Sequence, residues 1–142
     1  EVGIEFFFDE PFFWAVVREW GIPVAAPAGN AGIVAPSDTA CAFGKYMFIE
    51  TDGTVKPCSF AQLPVGNVNN KSLNKIWRDM LSSPSISKIK DCKSRTGHCS
   101  TCPYLESCKG CRSRTFAVTG DWLASDPACP LAIKLNEKGE LN

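Results

Sequence analysis

Eight cysteines are the residues of this chain whose type and spacing are best suited to chemistry. Four stand in one block, Cys99-x2-Cys102-x5-Cys108-x2-Cys111, and the others are Cys41, Cys58, Cys92 and Cys129. Thiols at such spacings form disulfides, bind zinc or ligate iron–sulfur clusters. All eight are therefore candidate metal ligands.

Disulfides and zinc explain this spacing less well than a cluster does. Disulfide frameworks are typical of small secreted chains without a sufficient core, whereas this chain of 142 residues is 44% hydrophobic. Its Phe-rich start has no basic leader, so we expect no signal peptide. Zinc knuckles usually stand about 12–20 residues apart, but here only five residues separate the two pairs. His98 directly precedes Cys99, and adjacent residues rarely both reach one ion, so we expect a loop histidine.

Iron–sulfur clusters fit the pattern best, with zinc as the alternative. A cubane commonly takes several closely spaced cysteines and a remote one. Cys129 is followed by Pro130, and the cysteine motif of bacterial ferredoxins also ends in a cysteine followed by proline. Eight thiolates suffice for two [4Fe-4S] clusters. Because such clusters are anionic, nearby cations should stabilise them. The cysteines are flanked by Lys93, Arg95, Lys109, Arg112 and Arg114, whose other interpretation is a solvated basic face.

Seven of the cysteines reproduce a known order. Cys41 is followed after 11 residues by Gly53 and after four more by Cys58, and the block and Cys129 come later. This pattern resembles the SPASM or twitch domain, the auxiliary iron–sulfur module at the C-terminus of many radical S-adenosylmethionine (SAM) enzymes. The resemblance covers roughly residues 41–130. The short form Cys108-Lys109-Gly110-Cys111-Arg112 is similar to the haem-maturation and quinone-cofactor branches.

The resemblance implies a division of the ligands between two [4Fe-4S] clusters. The outer cluster would be held by Cys99, Cys102, Cys108 and Cys129, and the inner one by Cys41, Cys58 and Cys111. Cys92 would complete the inner cluster, or it is a free thiol and the inner site is open to substrate. The C-x3-C-x2-C triplet that cleaves SAM is absent from the sequence. SAM would therefore bind only on a barrel domain preceding Glu1.

The elements that must position these ligands are short. Residues 45–58 predict a β-hairpin, because Asp52-Gly53 is a strong turn signal and brings Cys41 and Cys58 together. Residues 62–70 predict a loop. Leu73, Ile76, Trp77, Met80 and Leu81 share one face of a helix over 72–81 with Ser72 as its N-cap. A second helix should begin at Ser83-Pro84, one turn should lie at 104–106, and a third helix should span 112–118.

The first 40 residues differ from the remainder in charge. They carry six acids and one base, whereas residues 41–142 carry nine acids and 14 bases, so the whole chain is neutral. A strand over 3–8, a helix over 11–20 and a linker over 21–36 predict the tail of a preceding barrel. We expect that tail over 1–40, the cluster domain over 41–130 and a C-terminal tail over 131–142, which we expect to be frayed from Lys134. The fold class is α+β, with a hairpin, short helices and loops wrapped around two clusters.

The expected function is that of an auxiliary cluster domain in a radical SAM oxidoreductase or maturase. It would transfer electrons and position a peptide or tetrapyrrole substrate, with no catalytic side chain of its own. Asp121 and Asp126 could contact substrate or a cluster, but we expect them to be solvated turn residues. The alternatives are a zinc-stabilised binding module and a stand-alone ferredoxin-like carrier, against which the aromatic start argues. Zero net charge disfavours binding to nucleic acid. No apolar run reaches the ~18 residues of a membrane span, so we expect no membrane segment. We expect a cytoplasmic location.

Overall fold

The computed structural model describes residues 15–16, 19–21 and 41–137. The predicted strand over 3–8 and all but Gly21 of the predicted linker lie outside the described residues. The predicted helix over 11–20 is described only in part, where the Trp20 N–H donates to the Val16 carbonyl at 3.0 Å, as in a helical turn. None of the helices described is both long and apolar enough to cross a membrane.

A small antiparallel sheet follows Cys41. Its strands are β1 (Phe48–Ile49), β2 (Thr54–Lys56) and β3 (Gly66–Asn67), in the order β1-β2-β3. Phe48 pairs with Lys56 and Val55 with Gly66. Gly53 has a φ of +85° at the hairpin turn, a conformation that glycine adopts without strain. The predicted hairpin is therefore confirmed.

The loop predicted over 62–70 is wrong at its centre, where β3 forms. The Val65 N–H donates to the Val55 carbonyl at 2.8 Å, and the Val68 N–H donates to the Gly53 carbonyl at 2.9 Å. The acceptors belong to β2 and to the turn before it. No alternation of residue types within 62–70 could therefore predict these bonds. Gly66 also packs closely on the core, since a Cβ built there would lie 2.9 Å from Ile76.

Between Leu73 and Glu137 the chain forms five α-helices and two 3₁₀ turns, which confirms the α+β class. The helices are α1 (Leu73–Ser82), α2 (Pro84–Lys90), α3 (Leu105–Cys108), α4 (Arg112–Thr119) and α5 (Pro130–Glu137), and the turns are Cys92–Ser94 and Gly97–Thr101. The predicted start at Ser83-Pro84 is confirmed, and Ser83 Oγ accepts the Ile86 N–H at 3.4 Å. The fraying expected from Lys134 is wrong up to Glu137, where α5 ends, and Pro130 suits the first position of that helix.

The hydrophobic core lies where α1 and α2 meet the segments around the hairpin. It is built from Phe43, Ala61, Met80, Ile86 and Ile89, with Ile76 buried beside Gly66. The predicted apolar face of α1 is only half correct, since Leu73 and Leu81 are exposed. Cys41 and Cys58 both pack against this core. The core thus fixes one side of the site described next.

Candidate metal centre

Four cysteines surround one pocket. The outer pocket, as we call it, is lined by Cys99, Cys102, Cys108 and Cys129 and encloses about 340 Å³ including its open mouth. Cys99 lies in the second 3₁₀ turn, Cys108 ends α3, and Cys129 immediately precedes α5. Three local segments therefore converge on a single space.

A single metal ion and a cluster would place different demands on these sulfurs. Among the described residues, no three Cys, His, Asp or Glu side chains lie close enough to share one metal ion. A tetrahedral zinc site would draw four sulfurs to about 2.3 Å from one point. A cubane places its irons at separate corners, so its thiolates surround a larger volume.

The backbone around the outer pocket is fixed by the segment before Cys129. Ser125 Oγ accepts the Cys99 N–H at 3.0 Å and donates to the Thr96 carbonyl at 2.8 Å. The Thr96 N–H in turn donates to the Leu123 carbonyl at 3.0 Å. These bonds join the start of the cysteine block to the remote cysteine's own loop, so the pocket closes without a disulfide.

Three further cysteines form what we call the inner group: Cys41, Cys58 and Cys111. The Gly44 N–H donates to the Pro57 carbonyl at 2.8 Å, which holds the segments of Cys41 and Cys58 together. Burial raises the pKa of Cys111, and the nearby Cys41 raises it further, which places these two thiols near each other. Cys58 Sγ accepts a hydrogen bond from Ser113 Oγ at 3.7 Å, two residues past Cys111.

Cys92 is half-buried in the first 3₁₀ turn and does not line the outer pocket. It and Cys41 both act on the charge of Arg95. Its part in the inner site stays a prediction.

Two arginines of the expected basic flank are buried among these cysteines. Arg95 is 4% exposed and Arg112 is 1% exposed. Arg95 donates only to backbone carbonyls, namely those of Ile89 at 2.8 Å, Asp91 at 3.1 Å and Lys109 at 3.4 Å. Arg112 donates through Nη1 to the carbonyls of Trp122 and Ala124, both at 2.9 Å, and through Nε to Gly110 at 3.4 Å.

Within the described part of the chain, neither guanidinium has a carboxylate at ion-pair distance, although the buried Asp126 lies near enough to Arg112 to favour its charge. Burial lowers the pKa of Arg95 to about 10, with the charge of Arg112 adding to the effect, while Cys41, Cys92 and Cys99 oppose it. A buried charge without a counter-charge is costly. A thiolate-bound iron–sulfur cluster is an anion and would supply that counter-charge, so the residues present fit such a group.

Burial also disfavours the anionic form of the thiols in the outer pocket. Burial raises the pKa of Cys108 to about 12, and the neighbouring cysteines of the outer pocket raise it further. Burial likewise raises the pKa of Cys102 and of Cys129. The outer pocket therefore favours thiolates only when a metal cation binds them.

Asp126 is a structural carboxylate that the sequence did not reveal. It is fully buried, whereas a solvated turn residue was expected. Its Oδ2 accepts the Cys111 N–H at 2.6 Å, and Arg114 donates to both of its oxygens at 2.8 Å. Its Oδ1 also accepts the Ala128 N–H at 3.2 Å. Asp126 thus links the inner group to the turn that carries Cys129, whereas Asp121 is exposed as expected.

His98 belongs to the wall of the outer pocket, although the sequence predicted only a loop histidine. Its Nε2 lies 3.7 Å from Cys99 Sγ. Burial lowers the pKa of His98, which favours the neutral ring. Adjacency to Cys99 in a 3₁₀ turn, rather than convergence on an ion, explains this short separation.

This fold and this arrangement of cysteines have a counterpart among known proteins. The SPASM family, an iron–sulfur cluster-binding domain, matches residues 41–112, so the chain belongs to that family.

Among full-length relatives, the chain is 31% identical over 123 residues to the AdoMet-dependent heme synthase of Nitratidesulfovibrio vulgaris, covering 84% of this chain and 32% of the relative. It is 32% identical over 84 residues to that of Methanosarcina barkeri, covering 59% of this chain and 23% of the relative. It is 35% identical over 85 residues to the PqqA peptide cyclase of Methylocella silvestris, covering 56% of this chain and 22% of the relative. The chain therefore spans about a third or less of the length of these relatives.

Proposed function

We propose that this chain is the auxiliary electron-transfer module of a radical SAM oxidoreductase and that it holds two [4Fe-4S] clusters. One observation carries the proposal. Four cysteines surround one pocket next to two buried guanidiniums that have no carboxylate partner in the described chain. The membership in an iron–sulfur cluster-binding family supports the same function.

The outer cluster would be held by Cys99, Cys102, Cys108 and Cys129. The inner cluster would be held by Cys41, Cys58, Cys111 and Cys92. The clusters, when bound, would supply reversible one-electron transfer.

The chain's own residues hold these groups in place and set their surroundings. Asp126 and Ser125 fix the backbone of Cys111 and Cys99. The core around Phe43 and Ile89 keeps water from one side of the inner group. A recess beside Cys41 is lined by Lys45, Lys90 and Lys109 and offers a basic approach to the inner site.

The complete enzyme would place the SAM-cleaving cluster on a barrel domain before residue 41. Residues 1–40 would be the end of that barrel and its linker, residues 41–130 the cluster domain, and residues 131–142 its C-terminal extension. Two of the three heme synthase matches extend over 84% of the chain and the third over 59%, whereas the PqqA peptide cyclase matches cover 56–66%. This difference favours a tetrapyrrole substrate over a peptide.

The decisive experiment is an iron and acid-labile sulfide count on the chain purified without oxygen. We expect about eight irons and eight sulfides per chain, four of each for each cubane. Cys129→Ala should remove about half of both by emptying the outer site. Cys92→Ala should change the electron paramagnetic resonance (EPR) signal of the other cluster only. One or two zinc ions without sulfide would overturn the proposal in favour of a structural zinc module.

The substrate class needs the full-length enzyme. Reduced with dithionite and supplied with SAM, it should form haem from a tetrapyrrole precursor and leave a PqqA-type peptide unmodified. Modification of the peptide alone would assign the other substrate class.

A further inference from the structure

Arg112 contains a buried donor that has no partner. Its Nη2 is shielded from solvent and makes no hydrogen bond with any described residue, although Nη1 and Nε are both engaged with carbonyls. Leaving a buried donor unpaired costs about 1–3 kcal/mol, and more for a charged group. The free Nη2 therefore points to a missing acceptor.

The guanidinium of Arg112 lies between the inner group and the outer pocket. Arg112 lines the recess that contains Cys41 of the inner group. Gly110 lines the outer pocket, and a Cβ built on Gly110 would overlap Nη2 of Arg112. The guanidinium thus extends from the inner group to the backbone that forms the wall of the outer pocket.

Arg95 lies in the same recess but differs in one respect. All three of its guanidinium nitrogens donate to backbone carbonyls. Its hydrogen-bonding directions are therefore fixed by the protein alone. Only Arg112 keeps a nitrogen that the described protein does not engage.

We propose that Arg112 is a positioning residue for electron transfer, whose Nη2 donates a hydrogen bond to one of the two clusters held by these cysteines and whose charge raises that cluster's reduction potential. This inference rests on the function proposed above. When a cluster accepts one electron from a low-potential donor, no bond forms or breaks and its negative charge increases by one. A fixed cation stabilises the reduced cluster more than the oxidised one, and hydrogen bonds to sulfur act in the same direction.

The test compares Arg112→Gln and Arg112→Lys with the unmodified chain after anaerobic cluster reconstitution. Iron and sulfide are counted first, and EPR then follows a titration with dithionite. Arg112→Gln should make reduction of one cluster at least tenfold less favourable, a shift of about 59 mV for one electron. Arg112→Lys, which keeps the charge, should shift it less. Arg78→Gln, on an exposed part of α1, should leave both potentials unchanged.

A second measurement does not depend on the stability of the glutamine variant. Arginine labelled with ¹⁵N in its guanidinium should give a hyperfine coupling to the reduced cluster in pulsed EPR. That coupling should disappear in Arg112→Lys and persist in Arg95→Lys. A fully loaded chain that shows neither the coupling nor the potential shift would overturn the role of Arg112 alone. An unmodified chain without iron and sulfide would instead refute the proposed function.

Discussion

Replacing Asp126 with asparagine should weaken the connection between the inner group and the outer pocket. The carboxylate is fully buried and accepts hydrogen bonds from Cys111, Arg114 and Ala128. An amide of the same size carries no charge, and its NH₂ group would face other donors. The turn that presents Cys129 would then lose its connection to Cys111.

The size of the effect follows from the burial of the pair. Removing one partner of a buried ion pair costs about 3–5 kcal/mol. The side chain of Arg114 is 29% exposed, so water can partly replace its lost partner. We therefore expect a loss near the lower limit, about 3 kcal/mol. For a domain of this size that corresponds to a fall in Tm of about 12–24 °C.

The assay is anaerobic urea unfolding of the cluster-loaded chain, followed by far-ultraviolet circular dichroism and by cluster absorbance. Asp121→Asn is the matched control, because Asp121 is exposed and a surface change is worth about 0.5 kcal/mol or less. The double variant with Arg114→Gln should show a coupling energy of at least about 1 kcal/mol. If Asp126→Asn unfolds within about 1 kcal/mol of the unmodified chain, the carboxylate does not connect the two sites.

Three further outcomes follow from the structure. Gly110→Ala should reduce cluster occupancy far more than Gly120→Ala, because both have positive φ but only an added Cβ at Gly110 meets other atoms, as iron counts on both variants would show. Ile76→Ala should lower the free energy of unfolding by about 2–5 kcal/mol in urea titrations, since its side chain is fully buried. Hydrogen bonds from Thr54 lower the pKa of Asp52, so its stabilisation is complete above about pH 4 and is lost as the pH falls through the folded-state pKa. Asp52→Asn should therefore flatten the acid side of a Tm-against-pH curve, and an unchanged slope would contradict this.

Local signals predicted the elements whose stability is local. Asp52-Gly53 determined the hairpin, and Ser83-Pro84 determined the start of α2. Strand β3 escaped prediction because its hydrogen bonds come from β2 and from the turn, not from any pattern of its own. Helix α5 escaped because its polar C-terminal half resembled a tail.

The burial of polar groups was harder to foresee than the grouping of the cysteines. Asp126-Pro127 signals a turn, but only the packing of Arg114 and the Cys111 N–H shows that the turn is internal. In the same way, the sequence left open whether Arg112 lies on a solvated face, and the structure places it in the interior. Charge alone does not determine burial, since a guanidinium enters the interior only where acceptors such as backbone carbonyls satisfy its donors.

The order of the cysteines along the chain limits how recombination can exchange the two cysteine sets. Cys41 and Cys58 of the inner group come first, three cysteines of the outer pocket follow, then Cys111 of the inner group, and finally Cys129 of the outer pocket. No single break in the polypeptide separates the two sets. A recombination event within residues 41–129 would therefore divide at least one set between two genes. Recombination can therefore exchange the two sets intact only together, whereas a point substitution can still empty one of them.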